Sequence, residues 1–364
     1  MAAHAILKLI KNGKRIGVTA NSHAAILNVL TKCHELSDGN FSSLKIGGSK
    51  EVDLFQQHAT AHYAENLKAA LPHFPHTPLI GGTAWAFSDP AVQNTLDYLL
   101  VDEAGQVSVA NLIGMAPAAQ NLVLIGDHMQ LGQPIQGFHP GESGSSILEY
   151  LLQGNATVPE EMGIFLGTTW RLHPALCAFI SATIYNGRLR AAPQTRQRIV
   201  KVPATAQRVK KEAGLLFVPV EHEGNTQGSE EEVAIIKELV RELVGRKVTD
   251  VQGHVCKQLG LEDILFVAPY NLQVRKLSAA LGLQARVGSV DKFQGQEAPV
   301  VIISMCSSDG ESSPRGLEFV LNKHRLNVAL SRAQSLAIVV GSPRLATSHC
   351  TSLMQLPFSI CSAE

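Results

Sequence analysis

Short apolar runs that stop at polar residues recur along the chain, and they predict buried parallel strands. Residues 98–101 form one such run, which stops at Asp102 and Glu103, and residues 121–125 lie in the next one, which stops at Asp127. Acid at the carboxyl end of an apolar strand is typical of a parallel α/β sheet, where ligands bind beyond the carboxyl ends of the strands. The pattern therefore predicts two neighbouring strands that bring polar groups to one sheet edge.

The same alternation of strand and helix patterns extends over the whole chain. Apolar residues at helical spacing predict a helix over residues 3–12, and residues 16–19 indicate a core strand. The later runs predict a helix over 24–33, a strand from 79, strands over 214–220, 263–268, 299–305 and 336–340, and a helix over 230–244. A stretch rich in Gly, Ser and Pro at residues 137–146 predicts a linker. We therefore expect an α/β fold with two domains, residues 1–157 and 158–364, each built on a mostly parallel sheet.

Composition narrows the class of protein without identifying a site. With 364 residues, 45% hydrophobic and 17% charged, the chain is long and apolar enough for two packed cores. Lys plus Arg equals Asp plus Glu, so any contact with nucleic acid must come from a local groove. The six cysteines show no C-x-x-C spacing, which argues against a zinc ribbon and favours reduced thiols in the cytoplasm. No apolar run reaches membrane-spanning length, so we expect no membrane partner.

Two turns in the first half carry candidate chemistry, and each has a structural alternative. Asn21 and Ser22 follow the first predicted strand and are suited either to capping the next helix or to holding a phosphate. Thr83 and Trp85 follow another strand and are suited to holding a nucleic-acid backbone and stacking a base, although Trp85 could equally be a core indole. The four histidines within residues 51–76 are interpreted as surface residues of a small insertion rather than as a metal site.

Three polar segments in the second half complete an ordered series of motifs. They span residues 168–174, 287–297 and 325–333, and each couples Arg or Glu to small residues. With these segments in this order, the chain resembles a superfamily 1 helicase of the group that contains the nonsense-mediated decay helicase and the eukaryotic replication helicase-nuclease. It is most similar to bacterial proteins in which a RecB-like nuclease domain precedes such a helicase.

The resemblance implies a fold, cofactors and partners. It implies two tandem RecA-like domains that bind ATP and Mg²⁺ and act on single-stranded nucleic acid, with DNA favoured over RNA, in DNA repair or recombination. A RecB-like nuclease domain upstream is the implied partner domain. The two domains would close on ATP and open after hydrolysis, which would move the strand.

The resemblance also assigns roles to residues at the nucleotide. Asp102 corresponds to the carboxylate that holds magnesium through water, and Glu103 to the base that orients the attacking water. Gln130 corresponds to the residue that senses the terminal phosphate. Arg171 and Arg332 correspond to arginines that reach this phosphate and stabilise the charge that spreads over its oxygens during transfer.

Further implied contacts concern the rest of the nucleotide and the nucleic-acid strand. Trp170 corresponds to an aromatic residue that stacks on the nucleotide base, and Gly295 and Glu297 correspond to a motif that contacts phosphate and ribose. The positions that hold strand phosphates in the family are occupied here by Asn21, Ser22, Thr83 and Ser289. Each assignment has a structural alternative: a surface ion pair for Arg171, a core indole for Trp170 and a helix-end cation for Arg332.

One motif of the family is missing from the sequence. No G-x-x-x-x-G-K-[ST] occurs, and the nearest stretch, residues 45–50, has the wrong spacing. In this fold the phosphate loop lies between the first strand and the first helix. We therefore expect the first domain to lack its initial strand and phosphate loop, and the chain alone to bind ATP weakly and to be inactive in hydrolysis.

Three functions are compatible with these patterns. The first is the carboxyl-terminal portion of an ATP-dependent helicase. The second is a catalytically silent module, derived from such a helicase, that binds nucleic acid or a partner. The third is an unrelated α/β phosphohydrolase that uses Asp102 and Asp127, but this leaves Trp170, Arg171 and Arg332 without a role.

Overall fold

The computed structural model describes residues 2–37, 40–132, 137, 140–293, 295–309 and 315–347. The chain divides into two compact units, residues 1–154 and 155–364. Each unit is built on a parallel sheet, so the predicted α/β fold with mostly parallel sheets is confirmed. Within the predicted linker, residues 138 and 139 lie outside the described part of the chain. Among the described residues, no helix combines the length and the hydropathy needed to cross a lipid bilayer.

The described part of unit 1 contains one six-stranded sheet in the order β3-β2-β4-β1-β5-β6, with every pairing parallel. The strands are β1 (Ile16–Thr19), β2 (Ser43–Ile46), β3 (Ala61–Ala64), β4 (Leu79–Gly81), β5 (Leu96–Val101) and β6 (Ala119–Leu124). The helices are α1 (Ala2–Lys11), α2 (His23–Ser37), α3 (Asp53–Gln57), α4 (Leu67–Ala70), α5 (Ala84–Phe87), α6 (Val109–Met115) and α7 (Ile147–Leu152). Short 3-10 helices span Leu71–His76, Pro90–Val92, Ala104–Gln106 and Ala116–Ala118.

Residues 51–76 carry exposed histidines, as expected for His62, His73 and His76, but the stretch is not an insertion, which corrects that part of the sequence-based interpretation. They contribute β3 to the central sheet, and Phe74 packs in the core of the unit. The strand was missed because it is only four residues long and carries His62 and Tyr63 between two small alanines. A short strand of this composition has neither the length nor the apolar content that distinguishes a strand from a loop.

Strand β6 is the last strand at its end of the sheet within the described residues. It pairs with β5 on one side, and its central residues are exposed, including Leu122 at 39%. Central parallel strands are normally buried on both faces. The predicted strand over residues 121–125 is therefore present, but it has the exposure of an edge strand.

The described part of unit 2 contains a five-stranded parallel sheet in the order β13-β12-β14-β15-β9, with a small antiparallel pair and a short parallel pair beside it. The strands are β7 (Thr168–Thr169), β8 (Arg190–Ala191), β9 (Gly214–Pro219), β10 (Lys247–Thr249), β11 (Val255–Gln258), β12 (Ile264–Val267), β13 (Arg286–Gly288), β14 (Ala298–Ser304) and β15 (Ala333–Gly341). The helices are α8 (Pro174–Ile184), α9 (Glu230–Leu243), α10 (Asn271–Leu281), α11 (Leu317–Val320), α12 (Lys323–Ser331) and α13 (Arg344–Thr347), and 3-10 turns span Pro193–Gln197, Leu261–Asp263 and Asp291–Phe293. Strand β14 is buried along its whole length, as expected for a central parallel strand.

A buried polar network fixes the turn that follows β14. The carboxyl group of Glu232, on α9, accepts hydrogen bonds from the Cys306 N–H and the Ser304 hydroxyl. It also lies 2.9 Å from Nε2 of His222, whose Nδ1 lies 2.7 Å from the hydroxyl of Ser308. Cys306 has a φ of +52°, a conformation that non-glycine residues rarely adopt. The contacts with Glu232 therefore hold a strained turn at the carboxyl end of the sheet.

A second buried group, the imidazole of His34, packs in unit 1. Its Nε2 lies 2.8 Å from the Ser43 hydroxyl, and its ring stacks on Phe41 and on His58 with centroids 4.5 and 5.0 Å apart. The side chain is only 1% exposed. Burial, with smaller contributions from the nearby imidazoles of His58 and His62, lowers the pKa of His34 to about 4. His34 is therefore neutral in the folded protein near pH 7.

We expect unit 1 to lose stability in mild acid because of His34. The folded-state pKa of about 4 lies below the ordinary value of 6.5, so the unfolded chain takes up the proton first. The neutral imidazole's contribution is complete above pH 6.5 and is lost as the pH falls towards 4, which amounts to about 3 kcal/mol. Denaturant unfolding at several pH values measures this slope, and His34→Gln should flatten it. If His34→Gln leaves the pH dependence of the free energy of unfolding unchanged, other groups cause the loss of stability in acid.

The network around Glu232 predicts a large effect on the stability of unit 2. Glu232→Ala should lower the free energy of unfolding by about 3–5 kcal/mol, because it leaves several buried polar groups without a partner. Glu230→Ala is the matched control on the same helix: its carboxylate is exposed and pairs with Lys276, so the loss should stay within about 0.5 kcal/mol. Urea denaturation of the variants gives both values. Equal effects would mean that the network contributes little.

Candidate functional site

The register of the parallel strands in unit 1 brings three turns to one sheet edge. Asp102 N–H donates to Thr19 O at 2.8 Å, so the ends of β5 and β1 are level. Ala104 N–H donates to Ile125 O at 2.9 Å, so the end of β6 is level with them. The predicted meeting of polar groups at this edge is confirmed by these contacts.

Two glycines allow the turns after β5 and β6 to approach closely. A Cβ atom on Gly105 would lie 2.7 Å from Asp127 O, and one on Gly126 would lie 2.7 Å from Ala104 N. These distances are shorter than any side chain tolerates, and the obstacle in each case is backbone. Gly105 and Gly126 are therefore required by the packing of the two turns against each other.

The carboxyl groups of Asp102 and Glu103 are held at this edge under different constraints. Burial raises the pKa of Asp102, and this outweighs the hydrogen bond from the Glu103 N–H, which lowers it. Glu103 has a φ of +52° in the left-handed region, which is costly for a residue with a side chain and is often found at functional sites. A partly desolvated carboxylate gains from a nearby cation, and oxygen donors are what Mg²⁺ prefers. Among the described residues no group of three or more His, Cys, Asp or Glu is placed to hold a metal ion, so Asp102 offers Mg²⁺ a single carboxylate.

Asp127 orients Gln130. The Gln130 amide donates to one carboxylate oxygen of Asp127 at 3.0 Å, and Met129 N–H donates to the other at 2.9 Å. This arrangement fixes the glutamine side chain at the sheet edge. It also gives Asp127 a positioning role, where the sequence suggested only a second carboxylate for an unrelated phosphohydrolase.

The residues predicted to hold strand phosphates in unit 1 lie at the same edge, after β1 and β4. The Asn21 amide donates to Gln106 O at 2.8 Å. The Ser22 hydroxyl accepts from Ala25 N–H at 3.1 Å, so the capping alternative is observed for Ser22. Thr83 precedes α5, and its side chain makes no capping hydrogen bond to that helix.

In unit 2, two predicted residues lie side by side at the edge of the sheet where the strands begin, the amino-terminal edge. Ala298 at the start of β14 pairs with Ala333 at the start of β15, and Ala298 N–H donates to Arg332 O at 3.0 Å. Glu297 and Arg332, which immediately precede these residues, are therefore neighbours. Their proximity follows from strand register, although the two residues are far apart in sequence.

An ion pair connects Arg171 to this edge. Its Nε donates to Glu297 at 2.6 Å, and its terminal nitrogen donates to Ser331 O at 3.3 Å. Burial raises the pKa of Glu297, but hydrogen bonds from Arg171 and Gln334 and the positive charges of Arg171 and Arg198 outweigh this and hold it below the ordinary value. The surface ion pair considered for Arg171 is therefore present, and its partner is another predicted site residue.

Arg332 and Trp170 differ sharply in exposure. The Arg332 side chain is 3% exposed and donates to Val328 O at 3.1 Å and to Gln296 O at 3.4 Å. Trp170 is 65% exposed, so the core-indole alternative is wrong. Exposure of a large aromatic side chain is costly, and it leaves the ring face open to a planar ligand.

Sequence reasoning missed two residues that shape these edges. Arg198 donates to Trp170 O and Arg171 O at 3.0 and 3.1 Å, and so holds the backbone that carries both side chains. Lys45 is buried at the end of β2, where its ammonium group contacts Nδ1 of His23 at 2.8 Å, and burial lowers its pKa to about 8. A lone Arg in a polar loop gives no signal in a sequence, but a Lys within an apolar strand does.

The two remaining predicted residues are separated in space by the sheet of unit 2. Gly295, with a φ of +76°, precedes β14 and lies near the amino-terminal edge. Ser289 follows β13, whose last residue Gly288 pairs with Val267 of β12, so it lies at the carboxyl edge. The structure thus groups Glu297, Arg332 and Arg171 at one edge and places Ser289 at the other.

Comparison with known proteins identifies related sequences. The AAA domain family matches residues 144–344. The chain is 24% identical to the DNA replication ATP-dependent helicase/nuclease JHS1 of Arabidopsis thaliana, over 94% of this chain and 26% of that protein. It is 28% identical to the DNA polymerase alpha-associated DNA helicase A of Schizosaccharomyces pombe, over 67% of this chain and 37% of that protein. It is also 29% identical to the ATP-dependent helicase upf1 of Schizosaccharomyces pombe, over 69% of this chain and 27% of that protein.

The chain is thus similar to part of each of these proteins and spans 26–37% of their lengths. Among solved structures, the arterivirus nonstructural protein 10 helicase with DNA aligns with a TM-score of 0.48 and 14% identity. That alignment covers 93% of this chain and 57% of the viral one.

The Arg171–Glu297 ion pair can be measured by a double-mutant cycle. Because both side chains are partly exposed, at 33% and 45%, we expect a coupling free energy of about 0.5–1 kcal/mol from Arg171→Ala, Glu297→Ala and the double variant. Urea denaturation supplies the values. The more exposed Lys32–Glu35 pair is the control and should show a smaller coupling than Arg171 and Glu297. A coupling of zero for Arg171 and Glu297 would mean that the contact does not fix the arginine.

Proposed function

Because the chain belongs to the AAA domain family, we propose that it is the carboxyl-terminal portion of an ATP-dependent superfamily 1 helicase that acts on single-stranded nucleic acid. The observation that carries this proposal is the common sheet edge of Asp102, Glu103 and Gln130 in unit 1. Two similar proteins are a DNA replication helicase/nuclease and a DNA helicase, which supports DNA over RNA as the strand, and we extend this proposal to a role in DNA repair or recombination. One similar protein is a helicase/nuclease, which supports a RecB-like nuclease domain upstream. We propose a cytoplasmic location, because the six cysteines show no C-x-x-C spacing and are typical of reduced thiols.

Unit 1 would supply the groups that activate water. Asp102 would hold Mg²⁺ through water, and the ion would neutralise charge on the phosphate oxygens. Glu103 accepts the proton of the attacking water and orients it towards the terminal phosphate. Gln130, held by Asp127, contacts the terminal phosphate and responds to its loss.

Unit 2 would supply cations and contacts to the rest of the nucleotide. Arg171 and Arg332 stabilise the negative charge that develops during phosphoryl transfer, because guanidinium groups match phosphate oxygens in geometry and charge. Trp170 stacks its exposed ring on the nucleotide base. Gly295 and Glu297 contact phosphate and ribose. When the nucleotide binds, Arg171 must either break its ion pair with Glu297 or contact Glu297 and the phosphate together.

The strand would bind along the carboxyl edges of the sheets. Asn21, Ser22 and Thr83 in unit 1 and Ser289 in unit 2 hold phosphates by hydroxyl, amide or backbone groups, which need no net positive charge on the protein. The balanced composition of the chain agrees with such neutral contacts.

A second candidate function, a catalytically silent binding module, is favoured by one feature of the sequence. No G-x-x-x-x-G-K-[ST] occurs, and Lys45 of the nearest stretch lies in β2 with its ammonium group on protein acceptors. We therefore propose that residues 1–364 alone bind ATP weakly and do not hydrolyse it. The genomic reading frame separates the two functions: a frame that continues upstream through a phosphate loop favours the helicase, and one that stops favours the silent module.

In a protein that includes a phosphate loop, we expect Glu103→Gln to keep nucleotide affinity and to lower hydrolysis by about 10²-fold or more. The variant removes the base but leaves the phosphate contacts in place. ATP turnover with single-stranded DNA present, and binding of a labelled nucleotide, measure the two quantities. Asp89→Asn, at an exposed acid of the same unit, is the control and should change neither. Turnover at the wild-type rate in Glu103→Gln would overturn the catalytic assignment.

A further inference from the structure

Trp85 is the most exposed aromatic side chain on unit 1 within the described residues, at 85%. It lies on α5, a single helical turn directly after β4. The flanking side chains on this turn are small, since Ala84 precedes it and Ser88 ends the helix. The indole therefore lies on the surface instead of packing in the core, which excludes the core alternative that the sequence left open.

The turn that carries Trp85 is rigidly attached to the sheet. Ala86 and Phe87, the next two residues, are buried in the core of the unit at 8% and 1% exposure. A Cβ atom on Gly82 would lie 2.9 Å from the Cβ of Ala86, so the glycine lets α5 pack tightly against the end of β4. The buried residues thus anchor the helix while it presents the indole to solvent.

The position of Trp85 relates it to the predicted strand-binding residues. Gly81 at the end of β4 pairs with Val18 of β1, and the Gly82 N–H donates to Val18 O at 3.0 Å. The turns after β4 and β1, which carry Thr83 and Asn21, are therefore adjacent at the carboxyl edge. A polymer held by these uncharged groups would pass beside the indole.

On these grounds, and resting on the proposed function, we propose that Trp85 stacks on a base of the single-stranded nucleic acid whose backbone lies along Thr83 and Asn21. A single indole offers far less area than the roughly 800 Å² per partner of a stable protein interface. It does match the area of one nucleobase, and stacking tolerates any base because every base has an aromatic face. The site would therefore bind strands without reading their sequence.

Tryptophan fluorescence gives a direct test. The chain has two tryptophans, so in a Trp170→Phe background Trp85 is the only tryptophan, and excitation near the red edge of its absorption selects it over the tyrosines. We expect a short oligothymidylate to quench this emission, and an abasic oligonucleotide of equal length and charge to bind with little quenching. Quenching of equal size by both would overturn the proposal, because it would show that no base contacts the indole.

Affinity measurements on the same background separate stacking from backbone contacts. Trp85→Leu should weaken binding of oligothymidylate roughly ten-fold and leave binding of the abasic strand unchanged, whereas Trp85→Tyr should keep most of the affinity. Tyr150→Leu, at another exposed aromatic residue of unit 1, is the control and should change neither. If Trp85→Leu leaves the oligothymidylate affinity unchanged, this inference is wrong while the proposed function stands. If neither oligonucleotide binds the parent chain, both are wrong.

Discussion

The candidate site of unit 1 depends on one constraint, the common direction and register of its parallel strands. Parallel strands joined by crossover connections all end at the same edge of a sheet. Backbone hydrogen bonds from Asp102 to Thr19 and from Ala104 to Ile125 set the ends of three strands level. Residues that are distant in sequence, such as Asn21 and Gln130, are therefore brought to one edge by backbone pairing, before any side chain takes part.

The same constraint separates functions in unit 2. Residues that precede a strand lie at one edge and residues that follow a strand lie at the other, so Glu297 and Arg332 are placed opposite to Ser289. The seven residues of β14 put about 20 Å between the two edges. A change at the Arg171–Glu297 pair can reach the carboxyl edge only through the buried sheet or the elements packed on it. Strand β14 is suited to transmit such a change, because its carboxyl end is fixed by the contacts of Ser304 and Cys306 with Glu232.

The sequence predicted the α/β class, most long strands and the meeting of polar groups after residue 101, because long apolar runs and strand-end acids are local signals. It did not predict β3, whose four residues place His62 and Tyr63 between two alanines and which pairs with β2. It also could not foresee the partners of site residues. Arg198 supports the backbone at Trp170, and Asp127 orients Gln130, through contacts that only the folded chain creates. The exposure of Trp85 and Trp170 was likewise undecidable, since an indole is compatible with core or surface.

The carboxyl edge of unit 1 concentrates features that lower stability. Glu103 has a left-handed backbone, Asp102 is partly desolvated, Trp85 is exposed, and the ammonium group of Lys45 is buried with no carboxylate within ion-pair distance among the described residues. Each of these costs free energy that ordinary packing would avoid, and such costs persist only where the surrounding structure fixes them. The core beneath the edge meets this requirement. Strand β1 is buried along its whole length, and Gly105 and Gly126 let the turns after β5 and β6 pack closely against each other. A ligand charge opposite to that of Asp102 or Lys45, or a planar ring against Trp85, would lower these free-energy costs. Ligand binding at this edge would therefore stabilise unit 1.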